Sequence, residues 1–155
     1  FDEDELRVMI ESGKRVVDMK KCLTAQLGYT RFRQRLVGEE MAEMQDDMPL
    51  MPLPSVQLVI LEFCPPDGIM EQLLLRACEE NRLNQVEKLL KKPLDPNVKG
   101  KDGDFAPIHA AAANGHLEMV LLLLEARAEI EASTTREGLN ALHLAASEGQ
   151  LDIVN

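Results

Sequence analysis

The sequence predicts two domains of different class: a small α+β domain over residues 1–63, a linker over 64–69, and an all-α stack of helical repeats over 70–155. Three observations predict it. A 34-residue period runs through the second half. The first half holds one amphipathic helix flanked by strand-like runs. The chain is 45% apolar yet only 3% aromatic, with no Trp, which suits cores of Leu, Val, Met and Ala packed through small residues.

Charge and composition exclude several classes. The 155 residues carry a formal net charge of −10. Residues 1–63 hold 12 acidic and 8 basic side chains, and residues 64–155 hold 15 and 9. Both halves repel phosphate, so no nucleic-acid partner is expected. No run of eighteen apolar residues occurs, so membrane insertion is not expected, and the acidic opening "FDEDELRV" is no signal peptide. Cys22, Cys64 and Cys78 are odd in number and lack metal-type spacing, so an intracellular, cytoplasmic setting is expected. Phe1 is not a start Met and "LDIVN" stops inside a helical pattern, so we expect a fragment with further repeats beyond Asn155.

In the second half, a shift of 34 aligns Leu83 with Leu117 and Leu151, Val86 with Val120 and Val154, and His109 with His143. Leu89 and Leu90 meet Leu123 and Leu124, and "LDPNV" (94–98) meets "AEIEA" (128–132). Such a period marks stacked units of two short helices. The leucines of "HLEMVLLLLEA" leave little polar face, so neighbours are expected to bury that helix.

"APIHAAAANGHLEMVLLLLEARAEIEA" and "GLNALHLAASEGQLDIV" resemble the ankyrin repeat, with its T-P-L-H-x-A-A-x-x-G-H opening, leucine-rich helix and G-A-D-x-N-A ending. "RACEENRLNQVEKLLKKPLDPNV" is a poorer copy, as a capping or divergent first repeat would be. About two and a half repeats fit. Departures are Ala106 and Asn140 for Thr, and Arg127 where the family has a helix-ending Gly, which favours the left-handed conformation.

The first half supplies "RVVDMKKCLTAQLG", with Val16, Met19, Leu23 and Leu27 on one face, Lys20 and Lys21 on the other, and Gly28 as stop. "ELRVMIES", "RFRQRLV" and "SVQLVILEF" read as strands. The helix end, Gly28 and Gln34-Arg35-Leu36 resemble the ubiquitin fold, so a β-grasp domain is expected, its first strand lying upstream. Within "TRFRQRLVGEE" (30–40), Arg33 and Arg35 are expected on the solvent face of a strand, with Gln34 and Leu36 inward. Val37 corresponds to the family's partner-binding aliphatic residue. A segment between Pro49 and Pro52 has P-x-x-P spacing but reads as a loop.

No catalytic, metal or cofactor constellation is found: GxxxxGK[ST], GxSxG and HExxH are all missing. The resemblance makes His109 and His143 structural, hydrogen-bonding backbone and tying repeats. One repeat step, about 10 Å, also separates them too far for one zinc ion. His116 is expected to be an exposed helix-start residue, and Cys22 a partly buried thiol beside Lys20 and Lys21.

The ankyrin resemblance implies protein binding through the first helices and hairpin tips. By position the exposed columns are Arg76, Glu79 and Glu80; Ala110, Ala113 and Asn114; and Leu144, Ser147 and Glu148. The tips include Lys99, Lys101 and Asp104, then Thr135 and Arg136. The chain is expected to be a monomeric, non-enzymatic scaffold or adaptor for other proteins. The alternative is the N-terminal targeting region of a larger kinase, ubiquitin ligase or hydrolase.

Overall fold

The computed structural model describes residues 14–38, 42–49, 56–63, 65, 67–100, 105–134 and 136–154. The chain divides into two compact units, Phe1–Glu62 and Phe63–Asn155.

In the first unit, α1 spans Val16–Leu27. The Arg15 N–H donates to Asp18 Oδ2 at 2.8 Å, satisfying one donor at the helix start. Gly28 ends the helix at φ 77°, its N–H bonding the Thr24 carbonyl. Val16 and Leu23 pack with Leu36 and Met44 in the core. A 3-10 turn, Arg31–Arg33, leads into β1, Gln34–Val37, which pairs antiparallel with β2, Gln57–Ile60, in the register Gln34↔Ile60 to Val37↔Gln57. Gln34 and Leu36 point inward as expected.

Four expectations need correction here. The strand is shorter than "RFRQRLV" because Arg31 and Phe32 are both buried. Two successive inward side chains suit a turn and break a strand's alternation. Leu27 is 39% exposed although it continues the apolar spacing. Lys20 is buried, its Nζ 2.7 Å from Asp46 Oδ1. The β-grasp expectation is met only by one helix and a two-stranded sheet among the described residues; the strand expected in "ELRVMIES" lies outside them, as does Pro52.

Asp46 also stands 3.6 Å from Arg31 Nη1, so one carboxylate serves two buried cations. Asp46→Ala is expected to destabilise the first unit by about 1–3 kcal/mol, less than the roughly 3–5 kcal/mol of a fully buried pair, because Asp46 is 18% exposed. Lys20→Met, which removes the buried charge itself, is expected to cost less than Asp46→Ala. Denaturant melts of the two variants check the order, and the reverse order would contradict this reading.

The second unit is three helix pairs: α2 (Gly68–Glu79) with α3 (Leu83–Leu90), α4 (Pro107–Ala113) with α5 (Leu117–Glu125), and α6 (Ala141–Ser147) with α7 (Leu151–Val154). Asp67 Oδ1 accepts from the Ile69 N–H and caps α2. That helix therefore starts at Gly68, inside the expected linker. Each pair turns through a left-handed residue, at Asn81, Gly115 and Gly149, spaced 34 apart. At each turn the next residue's N–H bonds back into the first helix: Arg82 to Ala77, His116 to Ala111, Gln150 to Ala145. The 34-residue period is thus a period of backbone geometry.

First helices pack on first helices, α2 on α4 and α4 on α6, and α3 packs on α5. Ala111 and Ala112 are fully buried and let the helices approach closely. Leu74, Val86, Ile108, Met119 and Leu123 fill the core. The poorer first copy has a physical reason. Where α5 and its end carry Met119, Leu122 and Ala126, α3 and its end carry Gln85, Lys88 and Lys92, which gives the first repeat a polar outer side. In the last pair, Leu142 and Val154 are exposed where their counterparts Ile108 and Val120 are buried. Nor is α5 buried all round, since Leu121 is 56% exposed.

Arg127 follows α5 at φ 72°, a conformation that costs a residue with Cβ about 1 kcal/mol relative to glycine. Arg127→Gly is therefore expected to stabilise the repeats by about 0.5–1 kcal/mol, read as a raised denaturation midpoint. A lowered midpoint would contradict the assignment.

Candidate protein-binding surface

Side-chain bonds to backbone hold the repeats to one another. His109 is buried; its Nδ1 accepts from the Ala106 N–H at 3.0 Å and its Nε2 lies 2.8 Å from the Ala132 carbonyl. Because Nδ1 accepts, the proton sits on Nε2 and is donated to Ala132, so one ring fastens its own helix start to the following hairpin. His143 repeats the local half: its Nδ1 accepts from the Asn140 N–H at 3.3 Å, while Asn140 Oδ1 accepts from the His143 N–H.

Two further ties were not legible as such in the sequence. His116 is half-buried, not an exposed surface group, and its Nε2 meets the Glu79 carbonyl at 3.1 Å. Gln150, 34 residues on, donates from Nε2 to the Ala113 carbonyl at 3.2 Å. The same tie recurs with a different side chain, and the only signal for it is the alignment of 116 with 150. Asn97 links hairpins, donating to the Arg127 carbonyl and accepting from the Glu129 N–H at 2.8 Å. The hairpins themselves close alike: Gly100 N–H to Phe105 carbonyl, and Thr134 N–H to Leu139 carbonyl.

With these residues committed to the stack, the first helices carry the candidate surface. Arg76, Glu79 and Glu80 are exposed, and Arg76 and Arg82 both pair with Glu80. In the next column Asn114 is exposed and Ala113 half-buried, whereas Ala110 is only 7% accessible, a correction to its expected exposure. Ser147 and Glu148 are exposed and Leu144 half-buried. At the tips Lys99 and Arg136 are exposed; Lys101, Asp104 and Thr135 lie outside the described residues. Phe105 is 45% exposed, edge-on to His109, and composition alone did not single it out.

The residues expected to face a partner from the first unit are largely engaged within it. Arg33 lies in the 3-10 turn, half-buried, with Nε donating to the Leu61 carbonyl at 2.7 Å. Arg35 Nε pairs with Glu43 at 2.8 Å. Val37 is half-buried and bridges to Glu43.

Among the described residues no group of three or more His, Cys, Asp or Glu is arranged to hold a metal, and no helix is long and apolar enough to cross a membrane. Cys22 is exposed rather than partly buried. Burial, with Glu79 adding to it, pushes the Cys78 thiol up to about 12, so at neutral pH it stays protonated and packs as a small apolar group.

Helix pairs at a fixed period, tied to one another through side-chain bonds to backbone, define a helical repeat protein of the kind that stacks into a solenoid. Residues 74–155 match the family model of ankyrin repeats in three copies, and the chain belongs to the ankyrin-repeat family. It is similar to ankyrin repeat domain-containing protein 49 of Drosophila melanogaster, 39% identical over 61 residues, covering 39% of this chain and 28% of that protein. The human protein of the same name is 41% identical over 64 residues, covering 41% and 26%. Palmitoyltransferase AKR1 of Lachancea kluyveri is 35% identical over 78 residues, half of this chain and 10% of the enzyme. The chain thus spans about a quarter of the first two relatives. Ankyrin repeats imply protein partners.

Proposed function

We propose that this chain is a non-enzymatic, monomeric scaffold or adaptor that holds protein partners on its first-helix face and hairpin tips. One observation carries the reading. At the C-terminal ends and caps of three successive first helices, exposed charged or polar side chains (Arg76, Glu79, Asn114, Ser147, Glu148) flank the small Ala113. A partner backbone or helix reaches closely over that middle rung. Fold alone does not assign function, and the face is what supports this one. The ubiquitin-like strand surface of Arg33, Arg35 and Val37 is the weaker element, since a partner would compete with the Leu61 and Glu43 contacts.

Ala113→Arg fills the middle rung from a half-buried, non-core position. Proteins retained by the immobilised wild-type chain are expected to be lost, with the thermal midpoint unchanged. The same protein set on both would sink the proposal. A second reading, the targeting region of a larger enzyme, is favoured by the similarity to a palmitoyltransferase. Under it the same face would select substrates, and the captured proteins would be modified by the parent protein.

A further inference from the structure

Outside the first-helix face, α3 and α5 form an open groove of about 480 Å³ lined by Leu83, Glu87, Glu118, Leu121, Leu122 and Glu125. The 34-residue period makes Leu121 the anomaly. The equivalent residue is Glu87 in the preceding repeat and Asn155 in the following stretch. In the preceding repeat the fold holds a half-buried Glu87 at this position, so packing of the stack does not require a leucine there. Yet Leu121 is 56% exposed, beside the half-buried Leu83 and Leu122.

The walls are acidic. Glu118 and Glu125 stand one turn before and after the leucines on α5, Glu87 faces them from α3, and among the described residues no basic side chain lines the groove. Lys91, one turn beyond Glu87, lies 3.7 Å from its carboxylate and leaves the lining net negative. An exposed apolar floor between carboxylate walls is the complement of one ligand chemistry: a helix with a large apolar side chain on one face and Lys or Arg a turn to either side.

We propose that the α3–α5 groove is a second docking site, for a basic amphipathic helix of a partner protein seated on Leu121. The site is independent of the first-helix face, so Ala113→Arg leaves it intact.

The probe is a fluorescently labelled amphipathic helix of leucine and lysine, titrated into the full chain and followed by anisotropy. Leu121→Glu, which installs the residue of the preceding repeat, is expected to weaken binding by about tenfold or more, the effect of losing one buried leucine contact. Because that variant adds negative charge, binding by charge alone would be unchanged or tighter, and either result overturns the proposal. Glu118→Lys, which leaves every leucine in place, is expected to weaken binding as well, and equal binding would also count against the site. Sedimentation equilibrium completes the test: wild-type self-association abolished by Leu121→Glu would make the occupant a second copy of the chain and overturn the basic-helix assignment.

Discussion

Leu123→Ala is expected to lower the stability of the repeat unit by about 2–5 kcal/mol, the cost of truncating a leucine that cannot be replaced by water or by collapse of its surroundings. Leu123 is fully buried on α5, in the same core as Val86, Ile108 and Met119, and its carbonyl accepts the Ala128 N–H that fixes the chain reversal after the helix. Two positions earlier, Leu121→Ala removes the same atoms from an exposed site and is expected to change stability by less than about 0.5 kcal/mol. Denaturant titrations followed by helical signal check both. An unchanged midpoint for Leu123→Ala, at unchanged slope, would contradict the burial of α5.

His109→Phe is the second large effect. Phenylalanine keeps the ring but can neither accept from Ala106 nor donate to Ala132, so two backbone groups in or near the core lose their partners. Each costs about 1–3 kcal/mol when buried and somewhat less where water reaches it, which gives about 2–4 kcal/mol in sum. His143→Phe, at the aligned position, breaks the exposed 3.3 Å bond from Asn140 N–H, the one ring bond it makes among the described residues, and is expected to cost under about 1 kcal/mol. Equal costs at the two histidines would mean that the bond to Ala132 contributes nothing.

The repeats were legible because stacking places equivalent residues in equivalent surroundings. Gly115 and Gly149 recur since the turn needs a positive φ, and Leu89 and Leu123 recur since each closes the same layer. The first repeat was less legible: Lys88 and Lys92 stand where the next repeat carries Leu122 and Ala126, which gives it a polar outer side. In the first unit, helical spacing placed Lys20 in solvent, and only Asp46, 26 residues on, explains its burial. The arginines of "RFRQR" likewise find partners outside their own element, at Asp46, Leu61 and Glu43. Periodicity describes a residue's own element and is silent on partners from elsewhere. Of the candidate surface, the polar columns are readable by position, whereas position alone places Ala110 in solvent although it is covered in the packed stack.

The middle repeat is tied on both sides, through His116 to Glu79, and through His109 and Gln150 to the following repeat, and the candidate surface stands on it. Amide hydrogen exchange of the whole chain tests it most directly. Residues 107–125 are expected to exchange slowest, with 141–154 opening earlier because Leu142, Leu151 and Val154 lack cover. Exchange at 107–125 as fast as at 141–154 would contradict the stack and the face built on it.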